Sequence, residues 1–134
     1  MKINSLSELE SFAREFAAAL RAPQAVLLSG PLGAGKTEFV RFAIRELCGA
    51  DTIVPSPTFN IVQTYDSPRG RIAHFDLYRV ESSDELAELG LADYLANSIV
   101  FIEWPEKAAG LVKNGIKILI ENPIGDAREI TVIP

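Results

Sequence analysis

Apolar residues follow a helical repeat in two segments of the chain. The first segment begins with the sequence Ser-Leu-Ser-Glu at 5–8. From there, apolar residues recur at three- and four-residue steps: Leu6, Leu9, Phe12, Ala13, Phe16 and Leu20. This spacing predicts an amphipathic helix that starts with a capping box and ends by about Pro23. A second set with the same spacing comprises Phe39, Val40, Ala43, Ile44 and Leu47. It predicts a helix from about Lys36 to Cys48, closed by Gly49.

Other apolar residues form short continuous runs, at 25–29 and 98–103. Runs of this length predict strands that are buried on both faces of a sheet. Two further strands are predicted near the end of the sequence, at 116–120 and 130–133, joined by a turn at 122–126.

The middle of the sequence predicts a hairpin followed by short helices. Residues 58–65 are rich in aromatic and β-branched side chains, residues 66–70 favour a turn, and residues 71–78 favour an extended segment again. Residues 82–86 can start a short helix, and residues 91–96 predict another helical turn.

A glycine-rich loop lies between the first buried strand and the second helix. Its sequence is Gly30-Pro31-Leu32-Gly33-Ala34-Gly35-Lys36-Thr37, which fits the P-loop pattern in the strand-to-helix context that the pattern requires. In such a loop, backbone N–H groups surround the β-phosphate of a nucleotide, and the lysine reaches the β- and γ-phosphates. The sequence therefore predicts that Lys36 binds phosphate and that the Thr37 hydroxyl binds Mg²⁺.

With this loop, the elements predict an α/β fold of the P-loop NTPase type. The expected architecture is a mixed central sheet that contains the parallel P-loop strand, with helices on its faces and an antiparallel hairpin. The sequence has 134 residues, of which 48% are hydrophobic, so we expect one domain over residues 1–134.

Composition limits the possible partners and compartments. The net charge of -5 has the wrong sign for a protein that neutralises nucleic-acid phosphates by itself. A single cysteine cannot form an intramolecular disulfide, no apolar stretch approaches the length of a membrane span, and the start of the sequence lacks an export signal. We expect a cytoplasmic protein without a membrane contact.

Two acids follow predicted strands and are candidate partners of the P-loop. Asp76 follows the segment at 72–75, and Glu103 ends the run at 98–103. One is expected to hold Mg²⁺ or its waters and the other to orient the attacking water, and the sequence leaves open which does which. His74 should share a strand face with Asp76, where a structural or supporting role is favoured over that of a catalytic base. Trp104 is expected either to stack on a base or substrate or to pack in the core.

A P-loop of this kind is also found in three other classes of protein, of which the sequence disfavours one. A small-molecule kinase would need an acceptor pocket and usually an arginine-bearing lid, for which only Arg69, Arg71 and Arg79 are candidates. A GTPase would need an Asn-Lys-x-Asp segment, which the sequence lacks, so ATP is the expected nucleotide. A nucleotide-gated binding module would differ from an ATPase only in having negligible turnover.

Four motifs together resemble the bacterial TsaE (YjeE) family. They are GPLGAGKT at 30–37, SPTF at 56–59, HFDLYR at 74–79 and EWPE at 103–106. Members of this family are small ATPases required for making threonylcarbamoyladenosine in tRNA. The resemblance extends from the first predicted helix to about residue 110.

The resemblance implies a role for each matching residue. The residues that it assigns to the phosphates of ATP are Leu32, Gly33, Ala34, Gly35, Lys36 and Thr37. It implies that Thr37 and Glu103 lie near Mg²⁺, that Asp76 is required for hydrolysis and that Trp104 lies beside the nucleotide. It also implies that Ser56, Pro57 and Thr58 form a switch-like segment that responds to the nucleotide. Glu38 departs from the small residue expected after Thr37, which affects the expected affinity for the nucleotide.

The resemblance also implies two partner proteins, TsaB and TsaD. In the family, TsaD transfers the threonylcarbamoyl group to adenosine 37 of tRNA. ATP binding and hydrolysis by this chain would reset the TsaB–TsaD complex between cycles, and hydrolysis without the partners is expected to be slow. The acidic composition agrees with tRNA being held mainly by the partners.

Overall fold

The structure, a computed structural model, describes residues 1–55, 61–108, 110–125 and 127–134. Its strands are β1 (Lys2–Ile3), β2 (Gln24–Ser29), β3 (Val62–Ser67), β4 (Gly70–Asp76), β5 (Ile99–Glu103), β6 (Ile116–Ile124) and β7 (Ala127–Ile133). Its helices are α1 (Leu6–Ala18), α2 (Lys36–Cys48), α3 (Ser83–Glu88) and α4 (Leu91–Asn97), followed by a 3₁₀ turn at Pro105–Ala108. None of these described helices is long and apolar enough to cross a membrane.

The strands form one mixed seven-stranded sheet in the order β1-β7-β6-β2-β5-β4-β3. Strand β2 is parallel to both β5 and β6, and β4 is parallel to β5, whereas the outer pairs are antiparallel. The predicted α/β fold with an antiparallel hairpin is confirmed. Because the carboxyl ends of parallel strands meet at one edge, the loop after β2 lies beside the ends of β4 and β5.

Helices cover both faces of the sheet and create two apolar layers. Val26 and Leu28 contribute to the core beneath α1 and α2, while Ala25 and Leu27 belong to the opposite core beneath α3 and α4. Strand β5 is buried along its whole length. Since alternate residues of a strand point to opposite faces, this arrangement explains the continuous apolar runs in the sequence.

Helix α1 starts at the predicted cap and packs against α2. The hydroxyl of Ser5 accepts a hydrogen bond of 3.1 Å from the backbone N–H of Glu8. The rings of Phe12, Phe16 and Phe39 meet between the helices, with centroids 5.6 to 6.4 Å apart. Phe39 is fully buried at this contact, so the helix that follows the P-loop is fixed by the aromatic residues of α1.

The predicted turn at 122–126 was too wide, because β6 continues to Ile124 and β7 begins at Ala127. The pairing of β6 with β2 ends at Leu119, and within the described part of the chain β7 is the only strand that pairs with β6 beyond this point. A proline is tolerated where one side of a strand has no partner, and Pro123 lies in this stretch with a shift of register between Glu121 and Ile124.

The helix α1 ends at Ala18, before Pro23 as expected. The two-residue strand β1 was not predicted, because so short a segment has no detectable period and is recognised by its pairing with β7. The hairpin is observed as β3 and β4, while the predicted strand residues 58–60 lie outside the described residues.

Replacing Phe39 by alanine should lower the free energy of unfolding by about 3–5 kcal/mol, because the change leaves a cavity between α1 and α2. Urea denaturation followed by circular dichroism would measure the loss. Ile53→Ala is the control, since this side chain is 83% exposed and its truncation should change the free energy by less than about 0.5 kcal/mol. Equal effects of both changes would contradict the assigned core.

Candidate nucleotide-binding site

The loop from Gly30 to Thr37 joins the end of β2 to the start of α2. Gly35 caps the helix in the left-handed conformation, with φ of 112°, and the Lys36 N–H is the first within the helix. The first N–H groups of a helix have no acceptor in the preceding turn, and they give this end a partial positive charge. The start of α2 is therefore suited to bind an anion such as phosphate.

Glycine is required at the beginning of the loop. Gly30 has φ of +149°, and a Cβ atom added to it would collide with the backbone carbonyl of Ile120 in β6. The loop thus lies directly against the backbone of a neighbouring strand, which leaves no space for a side chain at this position.

The ammonium group of Lys36 is folded back on to the loop. Its Nζ atom donates hydrogen bonds to the carbonyls of Gly30 and Pro31, the latter at 3.1 Å, and lies 3.8 Å from the centroid of the Trp104 ring. Burial lowers the pKa of Lys36, and the nearby charge of Glu103 counteracts part of this shift. The two carbonyls and the ring that contact the Lys36 ammonium are neutral groups, and a phosphate could replace them.

The two predicted acids lie side by side. Asp76 at the end of β4 is the register partner of Glu103 at the end of β5. Burial raises the pKa of Asp76, the charge of Glu103 raises it further, and a hydrogen bond of 3.1 Å from the Tyr78 N–H to its Oδ1 atom acts in the opposite direction. Asp76 is only half-buried, so solvent reaches this carboxylate.

Glu103 connects the strand end to the loop. Its carboxylate is almost fully buried, with Oε1 accepting a hydrogen bond of 2.8 Å from the Thr37 hydroxyl and Oε2 lying 2.6 Å from Nε2 of His74. A hydroxyl and a carboxylate are the oxygen ligands that Mg²⁺ prefers.

The oxygen atoms of Thr37 and Glu103 therefore fit a site for Mg²⁺ shared with a bound nucleotide. Among the described residues, no group of three or more His, Cys, Asp and Glu side chains is arranged to hold a metal ion.

Trp104 lies at the loop, in contact with Lys36. Its backbone has φ of 59°, which is uncommon for a residue other than glycine. The ring packs against Tyr78, with centroids 5.1 Å apart, on the strand-end side of the site and against Lys36 on the loop side. Stacking of this ring on a nucleotide base stays a prediction.

The structure brings together most residues that the sequence predicted. The residues that lie around one end of the sheet are Lys36, Thr37, Asp76, Glu103 and Trp104. Leu32 lies in the same loop with its side chain 72% exposed. The predicted switch-like residues Ser56, Pro57 and Thr58 lie outside the described residues, so their role stays a prediction.

Arg128 is a contact of the loop that the sequence analysis missed. Its Nε atom donates a hydrogen bond of 2.6 Å to the carbonyl of Ala34, and a Cβ atom added to Gly35 would lie 2.9 Å from the same nitrogen. Because Arg128 is on β7, 94 residues from Ala34 in sequence, no local pattern indicates this contact.

The strand, loop and helix at 24–48, with two strand-end acids beside them, define a P-loop protein of the α/β class. A family model described as "Threonylcarbamoyl adenosine biosynthesis protein TsaE" matches residues 3–130. The chain belongs to the TsaE family.

Individual relatives agree with this assignment. A TsaE protein of Rickettsia bellii is 48% identical over 104 residues, which cover 78% of this chain and 72% of that protein. One of Rickettsia prowazekii is 41% identical over 125 residues, which cover 90% and 87% of the two chains. The crystal structure of YdiB from Bacillus subtilis is similar with a TM-score of 0.77 and 25% identity, covering 98% of this chain and 82% of that one.

The raised pKa of Asp76 predicts that Asp76→Asn stabilises the fold at neutral pH. A carboxyl group whose pKa is higher in the folded than in the unfolded state reduces stability once pH rises above its usual value. Asparagine cannot ionise but can still accept the hydrogen bond from Tyr78. The stability gain should therefore be small near pH ~4 and grow towards pH ~7.

Urea denaturation in EDTA at both pH values would measure this difference. The control is Asp93→Asn at an exposed position of α4, which should change the free energy of unfolding by less than about 0.5 kcal/mol. A gain for Asp76→Asn that is the same at both pH values would contradict the assigned cause.

Proposed function

We propose that this chain binds ATP together with Mg²⁺ and hydrolyses it. The observation that supports this proposal most directly is the 2.8 Å hydrogen bond between Thr37 and Glu103. It joins the hydroxyl at the end of the P-loop to a strand-end carboxylate, next to the Lys36 ammonium. Oxygen ligands for a hard cation and an amine for phosphate thus lie within one site.

Each group in the site has a distinct task in this proposal. The N–H groups at the start of α2 and the Lys36 ammonium bind the phosphates and stabilise the charge that develops on them. Thr37 and Glu103 would hold Mg²⁺, which supplies further neutralisation of the phosphate charge. The water oxygen forms a bond to the γ-phosphorus as the bond to the bridging oxygen breaks, and ADP leaves with the bonding electrons.

Asp76 is the better candidate for orienting the water. Both oxygens of Glu103 are engaged, one by Thr37 and the other by His74. The Asp76 carboxylate is half-exposed at the adjoining strand end, where water can reach it. A raised pKa also makes this carboxylate a stronger proton acceptor than an ordinary aspartate.

A small-molecule kinase is the alternative, and the positions of two of the three candidate lid arginines, Arg69 and Arg71, speak against it. The guanidinium of Arg69 donates to the carbonyl of Leu20, and Arg71 pairs with Asp66. Both arginines lie at the β3–β4 turn, which is at the opposite end of β4 from Asp76. They are therefore poorly placed to form a lid over phosphates at the P-loop.

The family assignment supports a role in the synthesis of threonylcarbamoyladenosine in tRNA. We propose that the chain works in the cytoplasm with the TsaB and TsaD proteins, and that ATP hydrolysis resets their complex. The net charge of -5 agrees with tRNA being held by the partners.

Lys36→Ala should weaken the binding of ATP about 10-fold or more, because a charge-assisted contact with phosphate is lost. Isothermal titration calorimetry would measure the affinity, and circular dichroism would check the fold. Lys113→Ala, at an exposed position away from the loop, is the control and should leave the affinity unchanged. A folded Lys36→Ala protein with wild-type affinity would refute the assignment of the loop.

Asp76→Ala should reduce ATP turnover in the presence of the TsaB and TsaD proteins about 100-fold or more, because the attacking water loses its hydrogen-bond acceptor. Phosphate release would be measured with and without the partners and Mg²⁺, with Asp93→Ala as the control. Turnover that does not depend on the partners and is unchanged in Asp76→Ala would contradict both the proposed resetting of the TsaB–TsaD complex and the proposed role of Asp76.

A further inference from the structure

His74 is a buried residue that the proposed hydrolysis does not use directly. It lies on β4 two residues before Asp76 and is the register partner of Phe101 on β5. Its side chain is fully buried. Nε2 lies 2.6 Å from Oε2 of Glu103, so the side chain reaches diagonally towards the end of β5. Because a carboxylate accepts hydrogen bonds, Nε2 is the donor.

This contact fixes one orientation of the Glu103 carboxylate. With Oε2 held by His74, the other oxygen, Oε1, faces the Thr37 hydroxyl at 2.8 Å. The three side chains form one chain of hydrogen bonds from β4 through β5 to α2. A glutamate alone has several rotamers of similar energy, so a fixed donor on one oxygen determines where the second oxygen points.

The other ring nitrogen of His74 argues against a purely structural role. In the part of the chain that the structure describes, Nδ1 is buried without a hydrogen-bond partner. A buried polar atom without a partner destabilises the folded state. If only stability mattered, an apolar residue at position 74 facing an apolar residue at position 103 would avoid this penalty. A hydrogen-bond donor to Glu103, by contrast, requires a polar residue at position 74.

We propose that His74 is a positioning residue that holds the Glu103 carboxylate in the orientation needed to bind Mg²⁺ with a nucleotide. The inference rests on the proposed function, because it assigns a partner to the proposed magnesium ligand. Removing the donor at position 74 therefore weakens the contribution of Mg²⁺ to nucleotide binding and leaves the Mg²⁺-independent contribution of the loop intact.

The test is the affinity for ADP, measured by calorimetry in excess Mg²⁺ and in excess EDTA. The ratio of the two affinities isolates the contribution of the metal. For His74→Leu the ratio is expected to fall about 10-fold or more, while the affinity in EDTA stays within about 2-fold of wild type. His74→Gln should keep most of the ratio, because its amide can donate to Oε2.

Ile72→Val is the matched control for a loss of stability. Ile72 is fully buried on the same face of β4 and lies two residues before His74. Its truncation is expected to lower the melting temperature without changing the ratio. A role of His74 in stability alone would make His74→Leu behave in the same way, and that result would overturn the inference.

If His74→Leu does not fold, a comparison of His74→Gln with His74→Asn tests the positioning role of His74. Asparagine is shorter than glutamine by one methylene, so its amide nitrogen falls short of Oε2. The ratio should be kept by His74→Gln and lost by His74→Asn, and equal ratios for the two would overturn the inference. Equal affinities of the wild type in Mg²⁺ and EDTA would instead overturn the proposed magnesium site together with this inference.

Discussion

The buried carboxylate of Glu103 is the point on which the site depends. A carboxylate removed from water requires donors for its oxygens, and here they come from Thr37 on α2 and His74 on β4. These donors belong to elements that are distant in sequence but meet at one end of the sheet. The same interaction therefore satisfies a buried charge and brings the P-loop helix against two strands.

The order of the strands makes this meeting possible. Since β2 lies beside β5, and β5 beside β4, the P-loop and two acid-bearing strand ends share one edge. Asp76 remains half-exposed while Glu103 is enclosed. Two carboxylates in neighbouring positions thus have different surroundings, and such differences separate the tasks of acids in active sites.

Much of the fold and part of the site could be predicted from local patterns. The P-loop, the buried strands and helix α2 each have a signal within a short stretch, because backbone turns and apolar periods are local properties. The contact of Arg128 with the loop and the pairing of His74 with Glu103 arise from strand register, which no short stretch of sequence specifies. Asn122 and Pro123 suggested a wide turn. The local sequence does not show that β6 extends beyond the end of β2, where a strand can contain a proline.

The close approach of Gly30 to the Ile120 carbonyl has a consequence for the independence of the P-loop. The hairpin of β6 and β7 supplies the surface on which the loop rests, and Arg128 holds the loop from the same side. The strand, loop and helix at 24–48 are thus not a self-sufficient module. Transplanted to another sheet without a strand backbone in the place of β6, the same eight-residue motif would lose the support that determines its shape.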